Sequence, residues 1–412
     1  MDRPVPSEKQ LSFMDWEFGV FFHFGIRSFY KHHRDWDGLP MPQEVFNPTE
    51  LDCLQWLTPA KEAGARYAIL VCKHHDGFAN WPSRYTDYSV AHTPWKDGKG
   101  DVVREFTDAC RRLGLKVGLY YSPAQWGGAL SFKEDAGYDD YFINQISELL
   151  TNYGTIDYLW FDGCGSEGHS YDKPRIIRAI RSLQPGIRIF NMWDPDTRWV
   201  GNEVGVAPSP NPSVTADVDF SVMTSEREAL DTVRFLPAEC DFMMRDTWFD
   251  CEDNEDMVKS PRELLGLYEY SVGRGANFLL NIGPDRRGLL PEKDLQSLIG
   301  FGRELKRVYG QPVGRFGELL PAGEDRFAIE SPEAALCDRL VLREDLTDSE
   351  HITAFEVYAV LDRGLRLLVY RGATVGHKAI CVFPAIRAAR FEVAVTGHEG
   401  AYRLIDARPY LS

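Results

Sequence analysis

Four short apolar runs in this chain end in residues with chemistry to offer: Phe22-His23-Phe24-Gly25, Lys73-His74-His75-Asp76-Gly77, Tyr120-Tyr121-Ser122-Pro123 and Trp160-Phe161-Asp162-Gly163. Where such runs are barrel strands, their last residues converge on one mouth. His23 taken alone reads as a hydrogen-bonded structural histidine; at the end of a first strand it points at a ligand. His74 and His75 suit either sugar hydroxyls or a metal. Adjacent residues of a strand point to opposite faces, so both could ligate one ion only if the strand has already ended. The metal reading also needs a separate acidic or histidine cluster that the sequence does not offer, and no metal is expected. Asp162 closes the run from Ile156 to Phe161, and a carboxylate there must cap a helix or face the mouth, because burying it unpaired is costly. Trp160 lies two residues earlier, on the same strand face, and an aromatic beside a carboxylate suits a sugar ring with one apolar side. Core packing at a helix–sheet interface is the plainer alternative for that tryptophan.

Glycosidic bond cleavage needs a second carboxyl group. The following region supplies Asp194, Asp196 and Glu203, then Glu239 and Asp241, and composition does not choose among them. The stretch Arg198-Trp199-Val200-Gly201-Asn202-Glu203-Val204-Gly205 sets Glu203 in a loop with a glycine on either side.

The elements that would position these residues alternate. Apolar runs at Gly19 to Phe24, Tyr67 to Cys72, Leu115 to Tyr121, Ile156 to Phe161, Ile187 to Phe190 and Phe278 to Ile282 are separated by stretches with helix signals. Asn47-Pro48 offers an N-cap and a first-turn proline ahead of Leu51, Leu54 and Leu57. Asp101 to Leu113 stops at Gly114, Tyr138 to Thr151 and Ile176 to Leu183 follow, and Glu292 to Tyr309 reads as the last helix. Strand, helix, strand, helix is the order of a parallel sheet, and eight units of roughly 35 to 40 residues make a (β/α)8-like barrel. Region 192 to 258, rich in Pro, Asn and Asp, offers only Asp219 to Met223 and Val233 to Leu236 as strands, so the barrel is expected to be irregular there. After Gly310-Gln311-Pro312 short alternating runs predict an all-β sandwich. The expected organisation is therefore α/β, with a barrel over 1–312 and a β-sandwich over 313–412.

The balance of 46 Lys and Arg against 62 Asp and Glu in 412 residues gives a net charge of −16, which argues against a nucleic-acid groove. A hydrophobic fraction of 44% supplies ample core. No apolar stretch is long enough to span a membrane, and the N-terminus lacks the apolar run of a secretion signal, which makes the cytoplasm the default expectation. The eight cysteines form no CxxC pair and are expected to be reduced. The sequence does not indicate an oligomeric state.

Together, Phe21-Phe22-His23-Phe24-Gly25, Phe46-Asn47-Pro48-Thr49, Lys73-His74-His75-Asp76-Gly77-Phe78, Trp160-Phe161-Asp162-Gly163, Arg198 to Glu203 and Leu279-Leu280-Asn281-Ile282-Gly283-Pro284 resemble the α-L-fucosidases of glycoside hydrolase family 29. The Gly-Asn-Glu loop resembles the subfamily that prefers α-1,3/1,4-linked fucose (subfamily B). The C-terminal segment, with Asp338 to Asp345 and Gly376-His377-Lys378, resembles its discoidin-like, galactose-binding-fold sandwich. The resemblance implies a retaining exo-fucosidase acting on fucosylated oligosaccharides, without metal or organic cofactor. Asp162 matches the nucleophile and Glu203 the acid/base, which would need a raised pKa. His23, His74, His75 and Tyr120 match residues holding the fucose hydroxyls, with Asp35 and Trp36 from the loop after the first strand and Trp160 against the apolar side. Two departures stand out. Asp35-Trp36 replaces the usual Glu-Trp, and Ala124-Gln125-Trp126 replaces Trp-Asp, on a loop that can face the leaving sugar. The alternatives are another linkage preference (α-1,2 or broad), a metal-assisted hydrolase, or a fucose-binding barrel that does not cleave.

Overall fold

The computed structural model describes residues 3–30, 41–126, 132–133, 137–222, 224, 227–251 and 253–412. Asp35 and Trp36 fall outside them. In chain order the first part consists of α1 (Glu8–Met14), β1 (Phe18–Phe22), α2 (Cys53–Ala63), β2 (Tyr67–Lys73), α3 (Val102–Leu113), β3 (Lys116–Tyr121), α4 (Tyr138–Asn152), β4 (Tyr158–Phe161), α5 (Lys173–Leu183), β5 (Arg188–Phe190), β6 (Arg198–Trp199), β7 (Val214–Asp219), β8 (Arg227–Phe235), β9 (Ala238–Met243), α6 (Pro261–Ser271), β10 (Ala276–Asn281) and α7 (Glu292–Tyr309). Eight of the strands form one parallel sheet in the order β5-β4-β3-β2-β1-β10-β9-β6, and the bridge Phe190–Thr197 closes it into a barrel.

Local chemistry sets the helix ends. The Asp101 carboxylate accepts the Arg104 N–H at 2.8 Å to start α3, and Gly114, at φ +67°, ends it in the left-handed conformation that favours glycine. For α2 the expectation at Asn47-Pro48 is corrected. Asp52 is the cap, accepting from the Leu54 and Gln55 amides, because a carboxylate immediately before the first turn satisfies the orphan N–H groups directly.

The expected repeat fails at two steps. Among the described residues neither the β5–β6 connection nor the β6–β9 connection carries a helix; the latter contains the antiparallel hairpin β7–β8. At the first of these steps Asn191 (φ +59°) acts as a stitch. Its N–H donates to Thr197 O at 3.0 Å, its Oδ1 accepts the Trp199 N–H at 3.0 Å, and its Nδ2 donates to Asp219 O at 2.7 Å. The strands expected at 219–223 and 233–236 are displaced: the barrel strands there are β6 and β9.

Side chains alternate across each strand. On β4, Leu159 and Phe161 join the core under the helices, while Tyr158 and Trp160 join an aromatic cluster in the barrel lumen with Tyr67, Tyr120, Phe190 and Trp199. Gly19 faces that lumen because Tyr67 occupies the space; a Cβ there would come within 2.3 Å of its ring. Helix α1 closes the bottom, placing Phe13 and Trp16 against Tyr67 and Tyr158.

The second part is antiparallel: β11 (Leu320–Gly323), β12 (Arg326–Glu344), β13 (Ile352–Val360), β14 (Arg366–Gly372), β15 (Ala379–His398) and β16 (Leu404–Tyr410), ordered β11-β12-β15-β13-β14 with β16 on β12. Register shifts along β12 and β15 mark bulges, and these strands enclose a separate core, consistent with a β-sandwich. Charge ties it to the barrel. Arg339 meets the buried Glu269 at 2.6 Å, and Lys378 and His377 reach Glu17 at 2.5 and 3.6 Å, so His377-Lys378 lies at this contact. All eight cysteines are free.

Candidate active site

Strand register delivers the site residues. Tyr120, Trp160 and Phe190 are lateral partners across β3, β4 and β5. Their rings stack, Trp160 lying 5.4 Å from Tyr120 and 4.2 Å from Phe190, so Trp160 turns an edge rather than a free face to the cavity above. Its Nε1–H is spent on Glu239 at 3.0 Å. One residue beyond β4 on the same face parity comes Asp162.

Asp162 is held by three donors. The Tyr120 hydroxyl donates to Oδ2 at 2.7 Å, the Cys164 N–H donates to Oδ1 at 2.8 Å, and His75 Nε2 lies 3.4 Å from Oδ2. Burial alone would raise its pKa, but His75, Tyr120 and the Cys164 amide outweigh it and hold the carboxyl below the usual range. Asp162 is therefore ionised at neutral pH, and its side chain is 21% exposed, toward the cavity.

The histidines come from two strand ends. His23 Nδ1 lies 2.7 Å from Asn281 Oδ1, and Asn281 Nδ2 donates to Trp248 O at 2.7 Å. That orientation of the amide puts the proton on Nδ1 and leaves Nε2 as an acceptor. Burial lowers the pKa of His23 to about 3, so the ring is neutral. His74 and His75 both line one cavity, their rings 4.3 Å apart, the arrangement open to adjacent residues only once a strand has ended. Strand β2 ends at Lys73, and a register shift against β3 between Val71 and Lys73 breaks the alternation. Lys73 instead turns outward, 4.3 Å above the Tyr121 ring and 3.3 Å from Gln125 Oε1. The Ala124-Gln125-Trp126 loop is pinned by this contact and by Trp126, which stacks on His75 at 4.7 Å and donates its Nε1–H to Gly165 O at 3.2 Å.

Glu203 is half-buried, between Gly201 (φ +88°) and Gly205 (φ +73°) in the loop after β6, where the bridge Val204–Phe242 fastens the loop to β9. A cavity of about 260 Å³, the scale of one small-molecule site, brings together Asp162, Glu203, His23, His74, His75, Tyr120 and Trp160. The other acids weighed from sequence divide. Asp194 and Asp196 are bound by Arg181, at 2.8 and 2.9 Å, away from the cavity. Glu239 lies in the lumen, hydrogen-bonded to Tyr67, Tyr158 and Trp160, and its burial raises its pKa to about 7. Asp241 reaches the cavity wall, where Trp199 Nε1–H donates to its Oδ1 at 2.6 Å. Trp81 is a core residue donating to Glu148, with no part in the site.

Sequence reasoning missed Trp199 and Trp248, both in the cavity wall. Trp248 packs over His23 at 4.9 Å, on a loop held by the buried pair Arg245–Asp294 at 2.6 Å. The available signal was the Trp-Phe pair just beyond β9.

Among the described residues, His74, His75 and Asp162 form one group whose ligand atoms lie within 4.8 Å of one another. Its donors are already engaged in part: Ser122 meets His75 Nδ1 at 2.6 Å, and Tyr120 and Cys164 occupy the carboxylate. What the arrangement can do is carbohydrate chemistry. It combines an ionised carboxylate, a second carboxyl group on a nearby loop, the neutral ring of His23 with two further histidine rings for hydroxyl groups, and aromatic walls.

Comparisons with known proteins agree. The family described as Alpha-L-fucosidase matches residues 4–311. The chain is 35% identical over 321 residues to Alpha-L-fucosidase 1 of Arabidopsis thaliana, covering 76% of this chain and 62% of that one, so it spans under two thirds of that relative's length. A glycoside hydrolase 29 family member from an unknown rumen bacterium superposes with a TM-score of 0.89 at 31% identity, covering all of this chain and 78% of the other. A Ruminococcus gnavus GH29 fucosidase solved in complex with fucose shares the fold, with a TM-score of 0.85 at 22% identity, over 100% of this chain and 96% of that one. With a barrel that gathers two carboxyl groups at its mouth and a family match over most of its length, this chain belongs to the α-L-fucosidase family of glycoside hydrolases.

Proposed function

We propose that the protein is a retaining exo-α-L-fucosidase that removes terminal α-1,3/1,4-linked fucose from oligosaccharides or glycoconjugates. The observation carrying this reading is Asp162, an ionised carboxylate fixed by Tyr120, His75 and the Cys164 amide, in one cavity with Glu203. In the first step an Asp162 oxygen attacks the anomeric carbon as the bond to the leaving oxygen breaks, and Glu203 donates its proton to that oxygen. In the second, Glu203 takes a proton from water, which displaces Asp162 and regenerates both groups. His23 Nε2 accepts from a sugar hydroxyl; His74 and Tyr120 border the same ring. The Gly201-Asn202-Glu203 loop supports the α-1,3/1,4 preference, and the pinned Trp126 loop flanks the leaving-sugar side.

The test is release of L-fucose from a Lewis-type trisaccharide, an α-1,2-fucosylated lactose and an aryl α-L-fucoside, with Asp162→Asn and Glu203→Gln as controls. Release from the Lewis sugar, lost in both variants, supports the whole reading. Preference for the α-1,2 sugar removes the linkage assignment, and binding without release from any substrate identifies a lectin-like barrel. Proton NMR of the first-formed anomer tests retention.

A further inference from the structure

The lumen of this barrel holds more acid than a two-carboxyl mechanism uses. Asp241 and Glu239 alternate on β9 toward the inside, whereas Ala238, Cys240 and Phe242 face outward. Asp241 is 3% exposed and lines the cavity that contains Asp162 and Glu203. Its Oδ1 accepts the Trp199 indole N–H at 2.6 Å, which fixes the carboxyl rotamer, and among the described residues no other side chain donates to it. No lysine or arginine among the described residues pairs with it; Arg198, on the adjacent β6, is engaged by Asn211 Oδ1 and Pro212 O instead.

The carboxyl groups here compete for protons. Asp162 has three donors including a histidine, Glu239 has three neutral side-chain donors, and Asp241 has one side-chain donor. Like charges gathered in a buried lumen cannot all persist, and the group with least support takes the proton. We infer that Asp241 is a further sugar-binding residue, a neutral carboxylic acid whose Oδ2–H donates a hydrogen bond to an oxygen of the fucose bound in the pocket. Burial is the main force holding its carboxyl well above the usual range; the Trp199 N–H and the backbone N–H of Asp241 itself oppose this, and the charges of Glu239 and Asp162 add to it. The other titratable groups facing the cavity are Glu203, His23, His74, His75, Tyr120 and Cys164. This arrangement complements His23, whose Nε2 can only accept: the pocket thereby offers a donor and an acceptor to neighbouring sugar oxygens.

The inference rests on the fucosidase reading, and equilibrium binding of L-fucose separates the two. Affinity is followed by calorimetry from pH 5 to 9 on the full-length protein, for wild type, Asp241→Asn and Asp241→Leu, with circular dichroism confirming the fold of each. The asparagine keeps an acceptor for Trp199 and a neutral donor toward the cavity. Wild-type affinity is expected to weaken about tenfold or more on the alkaline side as the acid ionises. Asp241→Asn should bind within about threefold of wild type at pH 6 and lack that alkaline loss, and Asp241→Leu should bind at least tenfold more weakly throughout. An asparagine variant as weak as the leucine variant, or one that keeps the wild-type alkaline loss, overturns the donor role. So does a leucine variant that binds normally. Folded wild type that binds no L-fucose at any pH refutes the fucosidase reading itself.

Discussion

Removing one hydroxyl should move the acid limb of the reaction. In Tyr120→Phe the ring remains wedged between His74 and Trp160, stacked at 5.7 and 5.4 Å, so packing is preserved and only the 2.7 Å donor to Asp162 is lost. A hydrogen bond to a charged group contributes about 1.5 to 3 kcal/mol, and one pKa unit is 1.36 kcal/mol, so the Asp162 pKa should rise by about one to two units. His75 and the Cys164 amide remain and place the shift toward the lower end. The assay is kcat/KM for an aryl α-L-fucoside from pH 3.5 to 9. In the wild type Asp162 titrates below the ordinary aspartate value, and its acid limb lies there with it. In the variant the limb should move to higher pH by about that one to two units, with activity approaching a plateau above it. The stability sign agrees: a depressed native pKa supplies stability above the unfolded value and loses it as pH falls through the native value, so the variant forfeits part of that stability at neutral pH. A loss of kcat/KM that is uniform in pH, with the acid limb unmoved, would refute the argument that Tyr120 acts through the carboxylate.

Further outcomes follow from other parts of the barrel. Glu239, raised to about 7 from 4.5, prefers its neutral form when folded; its stability contribution is full below the unfolded pKa and declines as pH rises toward 7, by about 3 kcal/mol. Thermal melts of Glu239→Gln should therefore be flatter than wild type between pH 4.5 and 7. Arg245→Met leaves Asp294, 1% exposed, without its 2.6 Å partner and should lose about 3 to 5 kcal/mol in urea unfolding, with KM rising because Trp248 shares that loop. Dialysis against a chelator should leave fucoside hydrolysis unchanged; loss restored by added zinc would instead assign His74, His75 and Asp162 to a metal. Gly19→Ala should lower the melting temperature or prevent folding, since its methyl group meets the Tyr67 ring in a lumen already filled.

Much of the site could be read from the chain because a barrel strand announces its own end. His23, Tyr120 and Asp162 each follow an apolar run, and the alternation that hides Leu159 and Phe161 beneath the helices carries Trp160 and Asp162 inward. The same logic concealed β9. Its inward residues are Glu239 and Asp241, so a buried strand presents itself as a polar segment, and no local pattern reveals that tyrosine and tryptophan N–H and O–H groups from other strands will satisfy those acids. Strand β6 was hidden by its two-residue length and by its dependence on Asn191. Whether His74 and His75 share a side turned on where β2 ends, and the register shift before Lys73 that decides it is a property of the β2–β3 pair rather than of either strand. At α2 the cap is Asp52, five residues past the expected one, where the first turn's amides could be met by a carboxylate.

The stitch at Asn191 has a thermodynamic consequence. Asp162 leaves the barrel from β4 and Glu203 from the loop after β6, so the spacing between the two carboxyl groups is set across the closure joined by the bridge Phe190–Thr197 and three Asn191 hydrogen bonds. With no helix among the described residues of its connections and a two-residue strand beside it, this part of the ring should open locally at less free energy than the long central strands, and its amides should exchange with solvent ahead of those of β1, β2 and β10. On warming, catalysis should therefore fail before the fold does. The operating temperature of such a glycosidase is set by this closure, and reinforcing it would raise the inactivation temperature while leaving the melting of the aromatic lumen unchanged.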